Sequence, residues 1–154
     1  MKNSKQALLI EQVDRKLKSF RALNEVIVPK KGWVYTVRTA LKMSLRQLAE
    51  RMNITPQSAS EIEQRESNET ITIKSLREVA HSMDMKLVYG FIPKDGSIEK
   101  MIEKRAVEIA AKIVMRTSNT MKLEDQENSK KRIEKNIQAK AREIIDTMPK
   151  HLWD

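Results

Sequence analysis

The amino-acid sequence predicts a mainly α-helical protein with one short β-strand. Only three Gly and four Pro occur in 154 residues, among many Leu, Ile, Ala, Lys and Glu, and this composition favours helix. Apolar residues recur at three- and four-residue intervals along most of the chain, as amphipathic helices require. One stretch, residues 86–92, is instead β-branched and aromatic. The length suits one compact domain, or a small domain with helical extensions.

Charge and residue usage narrow the possible partners. Lys and Arg number 30 against 21 Asp and Glu, a net charge of +9, which favours polyanions such as nucleic acid but is only a weak indicator. Residues 1–31 hold eight basic and three acidic side chains, whereas residues 32–96 hold nine and eight. The absence of Cys excludes disulfides, thiolate zinc sites and cysteine nucleophiles. No apolar run approaches the ~20 residues of a membrane span, so we expect a cytoplasmic protein.

Residues 1–31 are predicted to form an amphipathic helix and a basic linker. A helix from Lys5 to about Leu23 is indicated by apolar residues at helical spacing, namely Leu9, Val13, Leu17 and Phe20. This helix needs a partner, either on its own subunit or in a dimer. Pro29 ends it, and the two lysines that follow, Lys30 and Lys31, either contact a phosphate or minor groove or form a solvated linker.

Residues 32–85 are predicted to form a domain around two short helices. A preceding helix from Trp33 to Lys42 serves as a scaffold. Ser44 is a suitable N-cap for the first short helix, and the apolar residues of that helix, Leu48, Ala49 and Met52, share one face. A small residue at this place allows a second helix to cross closely.

A tight corner separates the two short helices. Asn53 tolerates the left-handed backbone that a sharp helix stop needs, and Ile54 can pack beneath the turn. Thr55 can cap the second helix, and Pro56 suits its first position because the missing N–H would be unpaired there. The inward positions of this helix are the apolar residues Ala59 and Ile62.

This arrangement is the helix-turn-helix plan, in which the second helix offers its outer face to a DNA major groove. The outer face here is polar and carries Gln57, Ser58, Glu61 and Gln64. A Gln amide can bond adenine N6 and N7 together, a Glu carboxylate can accept from cytosine N4, and Ser can do either. The alternative is a helical hairpin whose solvated surface has no ligand.

Residues 86–96 are predicted to be a short strand and a turn. A helix capped by Thr72 first completes the preceding domain. The sequence KLVYGFI, from Lys86 to Ile92, then has the composition of a strand and is closed by Pro93 and the turn at 94–96. A lone strand leaves its backbone edges unpaired, so it needs a partner strand in the same subunit or across a dimer axis.

Residues 97–154 are predicted to be a helical extension. Ser97 can cap a helix that runs to about Arg116, with an apolar stripe formed by Ile98, Ile102, Ala106, Ile109 and Ile113. A polar break follows at 117–120. A final helix is predicted from about Ser129 to Thr147. Trp153 near the end either packs on its own subunit or docks on another protein.

The region from about Gly32 to Met83 resembles the Xre/Cro family of phage-repressor-like DNA-binding domains. Nearly the whole chain is similar to the bacterial family called mobile mystery protein A, through GWVYTVRTALKMSLRQLAERMNITPQSASEIEQRE, TITIKSLREVA, KLVYGFIPKDGS and TMKLEDQ. In that family the gene usually neighbours one for a Fic-domain protein. The resemblance therefore implies a toxin-antitoxin-like pair with this chain as regulator or antitoxin.

The Xre pattern implies roles for individual residues. Base-reading side chains are placed at Thr55, Gln57, Ser58 and Glu61. Phage repressors often bind a phosphate through a Gln where this chain has Leu45, so phosphate contacts pass to other residues: Ser44, Arg46, Gln64, Arg65 and Lys74. Many Fic proteins are silenced by a Ser/Thr-x-x-x-Glu-Gly/Asn motif, which this sequence lacks.

These observations lead to one principal functional expectation and one alternative. The first is a homodimeric repressor that binds an inverted repeat of double-stranded DNA in the promoter of its own operon. The alternative is a protein-binding antitoxin that masks a Fic-domain partner through its terminal helices. We expect no enzyme, metal or cofactor, because no carboxylate pair, metal-ligand spacing or phosphate loop accompanies the two histidines, His81 and His151. The acidic run Glu124, Asp125 and Glu127 is either a cation site or a solvated break between helices.

Overall fold

A computed structural model describes residues 4–118 and 126–154, with side chains at 4–117 and 130–154. The acidic run and the end of the polar break after Arg116 lie outside the described side chains. Within the described chain, seven α-helices follow one another: α1 Ser4–Lys18, α2 Gly32–Ala40, α3 Leu45–Met52, α4 Pro56–Ser67, α5 Ile73–Ser82, α6 Ile98–Ser118 and α7 Gln126–Thr147. Short 3₁₀ turns lie at Arg21–Glu25 and Lys150–Trp153. The expectation of a mainly helical protein is confirmed.

The helices form two units. The central unit comprises residues 25–90, and the terminal unit comprises the described residues of 1–24 and 91–154. The core of the central unit is built by buried residues from α2 to α5 and the residue after α5: Val34, Leu48, Ala49, Ala59, Val79 and Met83. Around this core pack partly buried apolar side chains that include Ile54 and Ile62. Four short helices thus share one small core.

The terminal unit is organised around α6 and α7. Its core consists of Ile102, Ala106, Ala110, Ala141, Ile144 and Leu152. The small alanines allow the two helix backbones to approach closely. Arg105 fixes the chain end, because its Nε donates to the Leu152 carbonyl at 2.7 Å and its Nη2 donates to the Asp154 carbonyl. Leu152 is fully buried here, whereas the neighbouring Trp153 is 57% exposed.

Helix α1 packs on the same chain, in the terminal unit. Its Ile10 lies against the apolar core, while Leu9 of the predicted stripe is exposed. Asp14 accepts hydrogen bonds from the backbone N–H groups of Ile98, at 2.8 Å, and Glu99, at 3.3 Å. A carboxylate at this position stabilises the positive end of the α6 dipole. The helix ends at Lys18 rather than near Leu23 and is followed by the first 3₁₀ turn.

The predicted strand from Lys86 to Ile92 is wrong for this structure. The segment has no regular secondary structure, and the described residues contain no strand with which it could pair. Its composition favours a pleated, half-buried surface. Here most of its side chains are exposed instead, as shown by Val88 at 61%, Tyr89 at 59% and Phe91 at 83%. Without a neighbouring ladder, composition alone does not produce a strand.

Among the residues that the structure describes, none of the helices is both long and apolar enough to cross a lipid bilayer.

Candidate nucleic-acid interface

The first short helix, α3, begins at a capping box. The backbone N–H of Gln47 donates to Ser44 Oγ at 3.1 Å, and the N–H of Ser44 donates to Gln47 Oε1 at 2.8 Å. The two groups satisfy each other's unpaired backbone donors. At the other end of α3, Asn53 has φ 56° and ψ 45°, in the left-handed region, and the Ile54 N–H bonds the Ala49 carbonyl at 2.9 Å. The predicted cap and corner are both confirmed.

The second short helix, α4, is capped by Thr55 as predicted. Thr55 Oγ1 accepts from the Ser58 N–H at 3.1 Å, and Pro56 occupies the first helical position. The Thr55 hydroxyl also lies 2.9 Å from Ser58 Oγ, to which it donates. Both hydroxyls therefore serve the helix start in the free protein. Base contacts from these two residues remain predictions.

The inner face of α4 is held by an ion pair as well as by apolar packing. Ala59 is fully buried, and Ile62 packs against the same core. Glu63, 9% exposed, accepts from Nε and Nη2 of Arg38 on α2, which is 8% exposed. Arg38 Nη1 also donates to the Met43 carbonyl at 2.7 Å. One buried guanidinium thus joins α2, α4 and the loop before α3.

A second carboxylate of α4 holds the start of α2. Glu66 accepts from the backbone N–H of Trp33 at 2.7 Å and of Val34 at 2.8 Å. These are helix N-terminal donors that otherwise lack a partner, and a negative charge suits that position. Gly32 makes this approach possible, because its φ is +84° and an added Cβ would stand 2.6 Å from Glu66 Cδ. Contacts with Glu63 and Glu66 therefore fix α4 against both ends of α2.

The outer face of α4 is polar and open to solvent. Gln57, Glu61 and Gln64 are exposed, and neither glutamine side chain has a partner among the described residues. Glu61 pairs with Arg65 one turn later at 3.6 Å. This pair joins a predicted base-reading residue to a predicted phosphate-binding residue. The geometry brings Gln57, Glu61 and Gln64 to one face, while their contacts to DNA remain predictions.

The other predicted phosphate-binding residues lie at the starts of the helices before and after α4. Ser44 is occupied in the capping box, and Arg46 pairs with Glu50 at 3.2 Å on an exposed surface. Lys74, near the start of α5, is exposed. The first turns of α3 and α4 also present helix N-termini, which bind anions through free N–H groups. The phosphate roles of these residues stay predictions.

The sequence analysis did not predict the residues that fix the inner side of α4 to α2. Arg38, Glu63 and Glu66 are charged, and a charged residue is normally assigned to the solvated face of a helix. Their positions in the helices could have indicated burial. Glu63 lies one turn after the inward residue Ala59 and next to Ile62. Arg38 lies one turn after the apolar residue Val34 and next to Val37. A charge on an apolar face predicts a buried partner of opposite charge.

A protein-family comparison matches most of the central unit. The helix-turn-helix family matches residues 34–89, which form a domain of the Xre/Cro type. This match points to a DNA-binding regulator. No curated protein and no solved structure matches the chain.

Proposed function

We propose that the protein is a homodimeric transcriptional repressor that binds an inverted repeat in the promoter of its own operon. The observation that carries the proposal is the contrast between the two faces of α4. The inner face is fixed by Ala59, Glu63 and Glu66, whereas the outer face presents amide groups that have no partner in the part of the chain that the structure describes. A helix that is held firmly on one side and polar on the other can enter a major groove without moving its backbone.

Base recognition is assigned to the outward side chains of α4. Gln57 can form a bidentate contact with adenine, and Glu61 can accept from cytosine N4. Glu61 must first leave Arg65, and the exposed ion pair between them is weak. The freed Arg65 can then contact a phosphate. The same movement therefore supplies one base contact and one backbone contact.

A dimer is expected because one α4 reads only a few base pairs. In two-fold dimers of this motif the recognition helices meet the same face of the duplex about one turn apart, roughly 34 Å. The operator should then be an inverted repeat with half-sites at that spacing. Phosphate neutralisation by Lys and Arg should make affinity fall steeply with salt.

The experiment that tests the proposal is selection of bound duplexes from a random pool, followed by binding measurements on the enriched sequence. Gln57→Ala should lose about 1–3 kcal/mol of binding free energy and relax preference at one base pair of each half-site. Gln12→Ala is the matched control, because Gln12 is an exposed glutamine on α1. Failure to enrich any sequence, or equal binding by both variants, would refute the assignment.

The operon context is a separate proposal and rests on the resemblance to mobile mystery protein A. In that setting the chain regulates a toxin-antitoxin-like pair in the cytoplasm and itself catalyses no reaction. A loss of repression when the promoter repeat is scrambled would support autoregulation. Unchanged transcription in a strain deleted for this gene would contradict it.

A second candidate function is a protein-binding antitoxin that masks a Fic-domain partner. The observation that favours it is that the terminal helices and the C-terminal segment expose apolar side chains, which include Leu8, Leu9, Val107, Ile113 and Trp153. Co-expression with the Fic-domain protein of the neighbouring gene should give a stable complex. Leu9→Ser should weaken that complex, since a masked apolar side chain loses its burial energy. Two proteins that elute separately would contradict this function.

A further inference from the structure

The positive charge of the chain lies mainly outside the central unit. Residues 25–90 hold ten basic and eight acidic side chains, so their net charge is small. The rest of the sequence holds 20 basic and 13 acidic side chains. A surplus of Lys and Arg along one face or one helix is the electrostatic footprint of nucleic-acid binding. Such a footprint is therefore expected in the terminal unit.

The surplus is concentrated on α7, where residues 130–142 include six basic side chains and one acidic side chain. Four exposed polar residues of this segment follow one another at intervals of four, three and four positions, which places them in one line along a helix. This line is termed the basic stripe and consists of Lys131, Lys135, Gln138 and Arg142. It spans ~16 Å along the helix axis. The opposite side of α7 supplies Ala141 and Ile144 to the core.

The side chains of the three cations in the basic stripe form no ion pair or hydrogen bond within the part of the chain that the structure describes. The nearby carboxylates do not neutralise them. Glu143 pairs with Lys140 at 3.1 Å, and Asp146, one turn beyond Arg142, is half-buried and makes no ion pair with it. Glu134 is exposed and unpaired, but it is the single carboxylate among residues 130–142. This surface of α7 is therefore strongly positive.

A nucleic-acid backbone fits the basic stripe better than a membrane or a protein does. Over the ~16 Å of the stripe, one strand of B-DNA carries about five phosphates, so each cation can meet one. Membrane-surface helices expose an apolar face beside their cations, whereas the apolar face of α7 packs in the core with α6. Protein interfaces have an apolar centre, and residues 130–142 expose no large apolar side chain.

We propose that the basic stripe of α7 binds the phosphate backbone of duplex DNA. Lys131, Lys135 and Arg142 neutralise phosphates, and the Gln138 amide donates to a phosphate oxygen. Phosphate contacts carry no sequence information, so they raise the affinity of the chain for any duplex. Duplex DNA is chosen over RNA because the same chain carries a helix-turn-helix domain. The proposal goes beyond the repressor function, since these contacts do not require that α4 reads an operator.

The test measures binding of the full chain to a labelled DNA duplex of unrelated sequence, by fluorescence anisotropy over a range of KCl concentrations. The stripe variant combines Lys131→Gln, Lys135→Gln and Arg142→Gln. It should bind about ten-fold more weakly, because three exposed ion pairs contribute about two-fold each. The slope of log affinity against log salt concentration should become shallower by about 2–3. Unchanged affinity and slope would overturn the proposal.

A control variant separates the basic stripe from the effect of net charge. It combines Lys5→Gln, Lys100→Gln and Lys112→Gln, which remove three exposed cations from α1 and α6. Both variants have the same net charge, and Gln forms helix about as well as Lys and Arg. The control variant should keep the salt slope within about 1 of the unmodified chain. Equal losses in the two variants would refute a specific role of the stripe.

Two further measurements distinguish the basic stripe from the operator-reading face of α4. The stripe variant should weaken binding to a selected operator and to the unrelated duplex by the same factor, whereas Gln57→Ala should weaken binding to the operator alone. A changed sequence preference in the stripe variant would refute a backbone contact. Failure to select any operator would refute the repressor function, while the stripe would still be tested on the unrelated duplex.

Thermal unfolding and a second nucleic acid complete the test. The thermal midpoint of the stripe variant should be equal to or above that of the unmodified chain, because Lys131 and Lys135 lie one turn apart and like charges at this spacing destabilise a helix. A clearly lower midpoint would assign the cations a structural role and overturn the proposal. Tighter binding of a duplex RNA than of duplex DNA, lost in the stripe variant, would overturn the assignment to DNA.

Discussion

Replacing Glu63 by glutamine should remove a large part of the stability of the central unit. The substitution keeps the shape of the side chain but leaves Arg38, which is 8% exposed, without its counter-ion. Breaking a buried pair from one side typically destabilises a protein by about 3–5 kcal/mol, because an uncompensated charge stays buried. The Met43 carbonyl still accepts from Arg38, so we expect a loss near the lower end, about 3 kcal/mol.

The assay is equilibrium urea unfolding of the full chain, followed by tryptophan fluorescence. The chain has two tryptophans, and a Trp153→Phe background leaves Trp33 at the start of α2 as the reporter for the central unit. A loss of about 3 kcal/mol should also lower the thermal midpoint of a domain this small by roughly 12 °C or more. Arg46→Met is the control, since it breaks the exposed pair with Glu50 and should change stability by less than about 1 kcal/mol.

The double variant Arg38→Met with Glu63→Leu tests the explanation itself. With neither charge buried, most of the lost stability should return, because buried pairs can often be replaced by apolar residues without loss. The reasoning is refuted if Glu63→Gln loses less than about 1 kcal/mol. It is also refuted if the double variant is less stable than both single variants.

Three further predictions concern other contacts. Gly32→Ala should lose more than the ~1–2 kcal/mol that a left-handed backbone costs a residue with a Cβ, because this Cβ also displaces Glu66. Gly96→Ala is the control for the backbone effect, because Gly96 has φ +95° and its added Cβ would meet only the Lys100 side chain, at 3.9 Å; equal losses in urea unfolding would exclude a clash at Gly32. Asp14→Asn should cost about 0.5 kcal/mol at the α6 N-terminus without altering DNA affinity, and a change in that affinity would contradict a purely structural role. Lys74→Ala should reduce the salt slope of DNA binding by about 1, whereas an unchanged slope in anisotropy titrations would remove Lys74 from the phosphate contacts.

The local features of the central unit were predictable because each depends on one residue and its near neighbours. Ser44, Thr55 and Thr72 all cap the predicted helices, since a hydroxyl three residues ahead of an unpaired N–H satisfies it whatever lies beyond. Asn53 adopts the predicted left-handed backbone, which its short polar side chain tolerates. The inward positions of α4 followed from helical spacing alone.

The features that depend on distant partners were not predictable in the same way. Arg38 and Glu63 are 25 positions apart in sequence, so their pairing appears only when α2 and α4 are packed together. The segment from Lys86 to Ile92 has the composition of a strand but no partner strand in the described chain. On α1, helical spacing fits both Leu9 and Ile10, and only packing against α6 and α7 selects Ile10. The outward residues of α4 are in the expected place, while their specificity depends on a DNA sequence that the protein chain does not encode.

The terminal unit is assembled from two stretches that the central unit separates along the chain. On the ribosome, residues 25–90 are therefore complete before α6 and α7 have been made, and domains generally fold as units in order of synthesis. The helix-turn-helix part of the nascent chain can reach its final form early. Helix α1 can complete its contacts only after α6 has been translated, because Asp14 binds the N-terminus of α6 and Ile10 packs against the core of the terminal unit. The helix-turn-helix fold can thus be complete before α6 and α7 exist.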